Sequence, residues 1–367
     1  MQASARIWRH FDVWLLAVVS VLTIWGVALI QSAIGGNVNL AKLVPRQAIY
    51  AAIGLAVVMI VAAIDYRLWS ALARPIYLVT IVLLGLIPAA GFVGFGAARW
   101  FNVGIAYVQP SEVAKVAMIL VLADCFAKQQ EAIGQFKTVL RSLLLVAVPA
   151  LLIFSQPDLK TTLILGVIWF ALAWLAGLRP RHLALILGVG LILPILAWPL
   201  LQPYQQARVI QFLFPDPEAQ YGATYNVNQA LIAIGSGGWF GQGYGSGTQA
   251  QLRFLKVRHT DFIFSVLSEE FGFLGAVVVL VLLAFVIFRC FRAARVARDT
   301  FGGLICYGVG VLLLMQVAFN VGMNLNLFPV SGLTLPFLSY GGSSLVASLL
   351  GIGLVESVVL RQKRIEF

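Results

Sequence analysis

Residues 259–287 read HTDFIFSVLSEEFGFLGAVVVLVLLAFVI, and this stretch decides how the rest of the chain is interpreted. The part after Asp261 is apolar and long enough to cross a bilayer, since a spanning helix needs about 20 residues. Asp261, Glu269 and Glu270 nevertheless lie where it begins. A carboxylate at the edge of lipid is unfavourable unless it has a partner or a task. The stretch therefore predicts a membrane helix whose outer end carries chemistry on a lipid-borne molecule.

The composition of the whole chain agrees with that helix. Of 367 residues, 61% are hydrophobic and 11% are charged, and the mean hydropathy is +0.95. Soluble domains carry roughly 25% charged residues, so a soluble fold is excluded. No long polar linker divides the chain, and residues 1–367 are predicted to form one all-α polytopic membrane domain. We expect about ten transmembrane helices, near 12–32, 47–64, 75–92, 112–127, 140–155, 160–177, 183–201, 262–288, 303–327 and 342–360.

The net charge of +11 predicts an orientation and no nucleic-acid partner. If the N-terminus is cytoplasmic, sixteen of the 25 Lys and Arg residues fall on that side. Cytoplasmic loops carry the excess of positive charge in membrane proteins. We therefore expect a multi-pass protein of a cytoplasmic membrane with both termini inside.

The chain has three cysteines, Cys125, Cys290 and Cys306. They lie in or beside apolar runs and are predicted to be packing residues.

Three predicted outer loops have unusual compositions. The longest, 202–261, lies between helices 7 and 8, and its glycine cluster at 235–247 would let the backbone approach a lipid headgroup closely. Within it, 225–234 has helical spacing; a plain flexible loop is the alternative. The segment 328–342 mixes apolar residues with Pro and Gly, which indicates a re-entrant segment packed in protein. The third, 94–110, contains Arg99 and Trp100.

Several charged residues in or beside these loops are candidates for a site. Glu112 and Lys115 share one helix face at i,i+3 and must point inward, as a structural pair, a functional one, or both. Asp158 either caps the following helix or belongs to the site. Arg46 and Arg99 are outer cations that could bind a lipid diphosphate.

The sequence lacks the motifs of three other function classes. It contains no Gly-x-Ser-x-Gly, no Walker loop and no His–Cys array near Asp261, so serine-hydrolase, ATPase and zinc-site interpretations fail.

Five stretches together resemble the SEDS family (shape, elongation, division and sporulation), which contains RodA and FtsW. They are QPSEVAK at 109–115, QPDL at 156–159, AIGSGG at 233–238, RHTDFIF at 258–264 followed by Glu269 and Glu270, and LPFLSYGGSS at 335–344. They span almost the whole chain in order. The stretch GTQAQLRFL at 247–255 is more similar to RodA, the elongation member, than to FtsW, the division member.

The resemblance implies a fold of ten transmembrane helices and a peptidoglycan glycosyltransferase that polymerises lipid II into glycan strands at the outer membrane face. It also implies a partner, a class B penicillin-binding protein. By position, Asp261 matches the family's essential aspartate. Other residues match positions in or near the family's central cavity: Arg46, Trp100, Glu112, Lys115 and Asp158.

Two departures from the family pattern lie close to these residues. Lys160 stands where the family usually has Gly after Pro-Asp-Leu, which puts the local turn and charge in question. Lys256-Val257 replaces the usual Pro-Glu before Arg258, which removes a carboxylate from the neighbourhood of Asp261.

The mechanism we expect is a single displacement with Asp261 as general base. Arg46, Lys115, Arg208 and Arg258 would stabilise the leaving diphosphate. A divalent cation, Mg²⁺ or Mn²⁺, would assist its departure, although the sequence shows no complete set of protein ligands. Three alternatives remain open. One is a lipid II flippase, since intramembrane charges and broken helices suit transport too. The others are a non-catalytic scaffold of the cell-wall synthesis complex and a division (FtsW-like) member of the family.

Overall fold

Each apolar run predicted from the sequence forms a helix. The computed structural model describes residues 8–94, 97–102, 104, 107–129, 134–215 and 222–362. Within them, ten helices of 17 to 34 residues run between two faces of the molecule. They are α1 (Val13–Ile34), α2 (Leu43–Ala63), α3 (Tyr66–Ala90), α4 (Pro110–Lys128), α5 (Phe136–Ser155), α6 (Leu159–Leu175), α7 (Pro180–Ala197), α11 (Ile263–Val296), α12 (Thr300–Asn324) and α13 (Gly342–Leu360).

Eight of these helices are long and apolar enough to span a membrane; α4 and α6 are the other two. Most of α4 is buried, and it packs against α3, α6, α12 and α13. A central helix is shielded from lipid by its neighbours and can carry charge. At the other extreme, none of the apolar stretch of α7 that could cross a membrane is buried inside the protein. The prediction of a polytopic helical membrane protein is confirmed, and the weakly apolar run near 112–127 is the centre of the bundle.

One face gathers the beginnings of α1, α3 and α12 and the ends of α2, α11 and α13; we call it the termini face. Asp12 forms an ion pair with Arg289 and its amide donates to Glu356. Tyr66 Oη donates to Asp299 at 2.8 Å. His10 and Gln362, near the two ends of the described chain, lie 3.4 Å apart through Nδ1 and Nε2. Both ends of the described chain therefore lie on one side. The three cysteines are free; Cys290 and Cys306 are buried and Cys125 is half-buried, as expected of packing residues.

The opposite face, which we call the loop face, is formed by the long connections around 91–109, 198–262 and 325–341. The first contains a small antiparallel sheet of β1 (Phe92–Gly94), β2 (Ala97–Asn102) and β3 (Tyr107–Val108), which the all-α prediction missed. The second contains α8 (Pro203–Leu213), α9 (Gly222–Ser236) and α10 (Thr248–Gln251). The predicted helix at 225–234 is therefore confirmed, and the alternative of a plain flexible loop is wrong for the described part.

The segment 325–341 re-enters the bundle, as its composition predicted. Leu335, Phe337 and Leu338 are buried. A Cβ added at Gly26 of α1 would lie 2.5 Å from the Phe337 carbonyl oxygen and 2.8 Å from the Leu338 Cα. Gly26 is eight residues from the end of α1, or about 12 Å at the helical rise. The segment therefore runs into the bundle and is covered by protein, which is the condition for irregular backbone at that depth.

A break in α11 organises the glycine cluster of the long loop. Gly272 has φ 66° and ψ −166°, outside helical values. The loop pairs with backbone groups around the break: the amides of Gln242 and Gly243 donate to the carbonyls of Glu269 and Glu270 at 2.9 and 3.0 Å. In return, the Gly238 and Trp239 carbonyls accept from Phe273 and Leu274 at 2.8 and 3.2 Å.

The glycines make this contact possible by letting two backbones approach each other. A Cβ at Gly241 would lie 2.1 Å from the Glu270 carbonyl oxygen, and one at Gly237 would lie 2.0 Å from that of Ser268. The expectation that the cluster approaches a lipid headgroup is wrong at these positions. The close neighbour is the backbone of α11, because the broken helix requires partners there.

We expect Gly241→Ala to lower the free energy of unfolding by about 3 kcal/mol or more, since it forces apart a contact in which the carbonyls of two buried residues, Glu269 and Glu270, each accept a hydrogen bond. Gly238→Ala is the matched control. It has a positive φ of 53° as well, but a Cβ there meets nothing within 4 Å, so only the left-handed backbone strain of about 1 kcal/mol remains. Thermal stability in detergent compares the two. Equal losses would show that the contact with α11 contributes nothing beyond backbone strain.

Candidate active site

The main chain at Asp261 is fixed from α12. Asn320 and Asn324 lie one turn apart on the same helix face. Their Nδ2 atoms donate to the Asp261 carbonyl at 3.0 and 3.1 Å. The Asp261 amide donates to the Val257 carbonyl at 3.1 Å. With α11 beginning at Ile263, both backbone groups of Asp261 are held and its side chain is directed away from them.

The re-entrant segment holds the two residues before Asp261. The Tyr340 amide donates to the His259 carbonyl at 2.9 Å, and Ser339 Oγ donates to the Thr260 carbonyl at 2.6 Å. Ser339 Oγ in turn accepts from the Leu335 amide at 2.8 Å. Residues 259–261 are thus clamped between α12 and the re-entrant segment, and Asp261 has a defined position before any ligand binds.

The carboxylate of Asp261 is half-buried and faces positive charge. A Cβ at Gly332 would lie 3.3 Å from Asp261 Oδ2 and 3.6 Å from Lys160 Nζ, so both groups border Gly332. Lys160 Nζ donates to the Gly332 carbonyl. Burial raises the pKa of the Asp261 carboxyl, while Lys160, the Thr260 hydroxyl and Arg208 offset part of that rise.

The neighbouring His259 contributes no positive charge near neutral pH. Burial lowers its pKa to about 4, and the charge of Arg258 adds to this shift. The His259 ring lies 5.9 Å from the Tyr340 ring, centroid to centroid. The ring therefore acts here as a packing group between Asp261 and the re-entrant segment.

Beside Asp261 lies a cavity of about 220 Å³ with cationic and apolar walls. Three cations line it: Arg99 from β2, Lys160 from α6 and Arg208 from α8. Apolar side chains complete the wall: Leu163, Val209, Phe319, Val330 and Leu333. Asp261 itself is not part of the lining; it lies next to it, across Gly332 and Lys160. Such a cavity suits a molecule with an anionic head and an apolar tail.

The two arginines of the wall are held in place by backbone carbonyls. Arg99 donates through Nε to Gln156 at 3.0 Å, and through one Nη to Pro157 at 2.6 Å and to the Tyr204 hydroxyl at 2.8 Å. Arg208 donates to the Val330 carbonyl at 3.2 Å. Neutral partners leave the positive charge of both arginines uncompensated, so the wall keeps a net attraction for anions.

The other predicted site residues lie around this centre at different depths. Asp158 lines the cavity and caps α6, accepting from the Thr161 amide and hydroxyl at 3.3 and 2.9 Å, so both of its proposed roles have a place. Trp100 is half-buried on β2, paired in register with Phe92, and does not line the cavity. Arg46 is exposed on α2 near Tyr340, whose pKa burial raises and Arg46 partly lowers.

Glu112 and Lys115 form the predicted inward-facing pair. Lys115 Nζ lies 2.8 Å from Glu112 Oε2, and both side chains are almost fully buried in the first turns of α4. They do not line the cavity. The adjacent Ser111 hydroxyl lies 3.4 Å from Asp158 Oδ2 and connects α4 to the capped start of α6. The pair therefore lies inside the bundle in the first turns of α4, next to the residue that contacts Asp158.

Arg258 lies elsewhere, against the end of α1. It is buried and donates to the carbonyls of Ala33 and Ile34, which the helix end leaves without partners. Its guanidinium thus stabilises α1, and its predicted contact with a diphosphate stays a prediction. Lys160, by contrast, lies against the site, although the sequence pattern indicates only a departure from the family there. The signal for a site role is its position two residues after Asp158.

The glutamates of α11 have backbone or hydroxyl partners. The Glu269 carboxylate accepts from the Gln249 and Ala250 amides at 2.7 and 3.3 Å, capping α10. Ser32 donates to Glu270. Among the described residues, no Lys or Arg forms an ion pair with either carboxylate. Neutral donors therefore hold both side chains, which gives Glu269 and Glu270 a structural role at the start of α11.

The residues present do not fit a protein-held metal ion. Within the described ranges, no three His, Cys, Asp or Glu side chains converge. Asp158 is committed to capping α6. The divalent cation considered from the sequence stays a prediction, and no step below uses one.

A scan against protein families matches residues 8–364 to the FtsW/RodA/SpoVE model, described as a cell cycle protein. The chain belongs to the SEDS family. It is 36% identical to the peptidoglycan glycosyltransferase MrdB of Escherichia coli K12, over 96% of this chain and 95% of MrdB. It is also 36% identical to a probable peptidoglycan glycosyltransferase FtsW of Geobacter metallireducens, over 97% and 96% of the two chains.

Solved structures agree with this membership. A chain from a study of how a peptidoglycan synthase complex coordinates polymerization and crosslinking matches with a TM-score of 0.80 and 32% identity, covering 95% of this chain and 97% of that one. The rod-shape-determining protein RodA of Thermus thermophilus matches with a TM-score of 0.73 and 30% identity, over 96% and 98%. A mutant of that RodA with an aspartate replaced by alanine matches equally well.

In this SEDS chain we expect the buried Glu112–Lys115 pair to behave as one unit. Glu112→Gln or Lys115→Met alone leaves one group uncompensated in the bundle and should destabilise by about 3–5 kcal/mol, with loss of activity. The double variant should be more stable than either single one, because no buried charge remains. A double-mutant cycle on thermal stability in detergent tests this; additive losses would show that the two side chains are energetically independent.

Proposed function

We propose that this chain is a peptidoglycan glycosyltransferase of the elongation type, which polymerises lipid II at the outer face of the cytoplasmic membrane. The observation that carries the proposal is the pre-positioned Asp261 carboxylate beside a cation-lined, partly apolar cavity. Lipid II joins a sugar to an apolar chain through a diphosphate, which this cavity matches in charge and polarity. The names of the MrdB and FtsW relatives support the same activity.

The reaction we propose is a single displacement. The acceptor presents its GlcNAc 4-hydroxyl to Asp261, which takes the proton as the oxygen attacks C1 of the donor MurNAc. The bond from C1 to the diphosphate oxygen breaks, and undecaprenyl diphosphate leaves with both electrons of that bond. The α-linked donor becomes a β-1,4 linkage by inversion. Asp261 then releases the proton to water and is ready for another cycle.

The leaving group is stabilised by cations already in position. Arg99 and Arg208 face the cavity with neutral partners, so their charges are available as negative charge develops on the diphosphate. Because backbone carbonyls hold both arginines, little reorganisation is needed during the reaction. The apolar side of the cavity, including Leu163 and Phe319, would contact the beginning of the lipid chain.

The elongation assignment rests on the stretch 247–255 and on the match to a solved RodA. Overall identity to the MrdB and FtsW relatives is the same and does not separate the two branches. A class B penicillin-binding protein is the partner we propose. The peptidoglycan synthase complex among the matched structures supports that kind of assembly, and transmembrane contacts with lipid-facing helices would join the two proteins.

Polymerisation accounts for the site better than transport. Asp261, Arg99, Lys160 and Arg208 gather at the loop face, where a lipid-linked donor could react without crossing the bilayer. A flippase requires polar groups along a path between the two faces. A scaffold requires no cavity of this kind and no carboxylate held in position.

We propose that the termini face is cytoplasmic and the loop face external. Both described ends of the chain meet at the termini face, and sixteen of the 25 Lys and Arg residues fall on that side of the predicted topology.

In a background without Cys125, Cys290 and Cys306, a cysteine at the exposed Ser246 should react with an impermeant maleimide added outside intact spheroplasts. One at the exposed Arg298 should react only after the membrane is opened. The reverse pattern would invert the topology and move the proposed site to the cytoplasmic side.

Asp261→Asn keeps the shape of the side chain but removes proton acceptance. We expect polymerisation of lipid II by the purified complex to fall by roughly 10²-fold or more. Co-purification with the penicillin-binding protein and thermal stability should be retained. The matched control is Asp65→Asn on the termini face, a partly exposed carboxylate 3.4 Å from Arg361, which should leave the rate unchanged. Polymerisation by Asp261→Asn at the wild-type rate would show that Asp261 is not the base.

A further inference from the structure

Lys160 is a charged residue that the proposed reaction does not yet use. It follows the capping Asp158 at the start of α6 and lines the cavity. Its Nζ donates to the Gly332 carbonyl on the re-entrant segment, 172 residues away in sequence. A lysine whose stem lies in a partly apolar wall, and whose ammonium binds one backbone oxygen, is held in a single place.

The geometry brings this ammonium next to Asp261 without joining them in an ion pair. Gly332 lies against both groups, since its Cβ position is 3.3 Å from Asp261 Oδ2 and 3.6 Å from Lys160 Nζ. The two charges are therefore within about 7 Å of each other, a distance at which they interact strongly in a partly buried site. Asp261 is left free of a direct cation contact, so its carboxylate can still accept a proton.

The other groups around Asp261 leave Lys160 as the main charged neighbour. The side chains of Asn320 and Asn324 on α12 are neutral amides, and both donate to the main-chain carbonyl of Asp261. The adjacent His259 is neutral near neutral pH. Arg208 faces the carboxylate from α8 and is the second cation, with a smaller effect than that of Lys160.

Asp158 and the substitution at Val257 both bear on how positive the surroundings of Asp261 are. The Asp158 carboxylate accepts hydrogen bonds from the Thr161 and Ser111 hydroxyls. It forms no ion pair with Lys160, although both residues lie at the start of α6. Val257, whose carbonyl accepts from the Asp261 amide, replaces a glutamate of the family pattern. Gaining a cation at 160 and losing an anion at 257 both make the surroundings of Asp261 more positive.

We infer that Lys160 is a positioning residue for the proposed reaction: it holds the Gly332 turn against Asp261 and supplies the charge that keeps this carboxylate ionised. The inference rests on the proposed role of Asp261 as the base. An ionised base is required at the start of each transfer, and burial alone would favour the protonated acid. The ammonium beside it opposes that effect and extends activity to lower pH.

The test is the pH dependence of kcat/KM for lipid II polymerisation by the purified complex. In Lys160→Met the acidic limb of the profile should move up by about one pH unit, since one nearby charge shifts a pKa by that order. Lys160→Gln, which keeps a hydrogen-bond donor without charge, should shift similarly. Lys160→Arg should restore the limb, and Lys42→Met, which removes an exposed charge from the loop face, should leave it unmoved.

A second measurement does not depend on activity. Infrared difference titration of the protein without substrate reports carboxyl protonation, and the Asp261 band is the one that disappears in Asp261→Asn. In Lys160→Met that band should titrate about one pH unit higher. An unmoved band would overturn the inference even if Asp261→Asn were inactive. A moved band with active Asp261→Asn would instead refute the proposed function and leave the electrostatic coupling intact. A uniform loss of kcat/KM at all pH values, with the band unmoved, would make Lys160 a diphosphate ligand.

Discussion

The structure depends on one constraint: backbone polar groups at membrane depth must find partners inside the protein. Within the described part of the chain, the backbone departs from continuous helix inside the bundle at Gly272 and at 325–341. At Gly272 the break in α11 is matched by the glycine loop, which returns hydrogen bonds to both sides of the break. At 325–341 the re-entrant segment is covered by α1 and held by Gln47, whose amide donates to the Ser339 carbonyl at 3.2 Å.

These two irregular segments create the site. The break in α11 and its partner loop hold the first turns of that helix in place, and the re-entrant segment clamps residues 259–261 from the other side. Asp261 stands between them with its main chain satisfied and its carboxylate outside any ion pair of the described residues. In its proposed role as general base, Asp261 would contribute through position, because its main chain is already held in place.

Charges in the bundle divide into two groups by their partners. Glu112 with Lys115, Glu269 on backbone amides and Arg258 on helix-end carbonyls are buried and satisfied. Removing such partners would leave an isolated charge in low dielectric. The charges around the cavity are instead held by neutral groups or by none, so their fields remain available to a ligand. This difference, more than sequence position, separates structural from functional charge in the molecule.

The sequence by itself determined the helical membrane architecture and the re-entrant segment, and it singled out Asp261 as the candidate carboxylate. These follow from apolar length, from Pro and Gly among apolar residues, and from an acid at a lipid edge, all of which are local properties. It also predicted the Glu112–Lys115 pair, because i,i+3 spacing is local as well. The small sheet was missed, since strands of two to six residues leave little periodic signal.

Only the tertiary structure decided which distant groups meet. Three contacts depend on residues far apart in sequence. Arg258 caps α1, Glu269 caps α10, and the glycines of the long loop approach α11. The position of Lys160 beside Asp261 likewise depends on how α6 and the re-entrant segment pack around Gly332. The physical reason is the same in each case. A polar group buried in a bundle binds whichever donor, acceptor or charge the packing brings to it, and packing is a property of the whole chain.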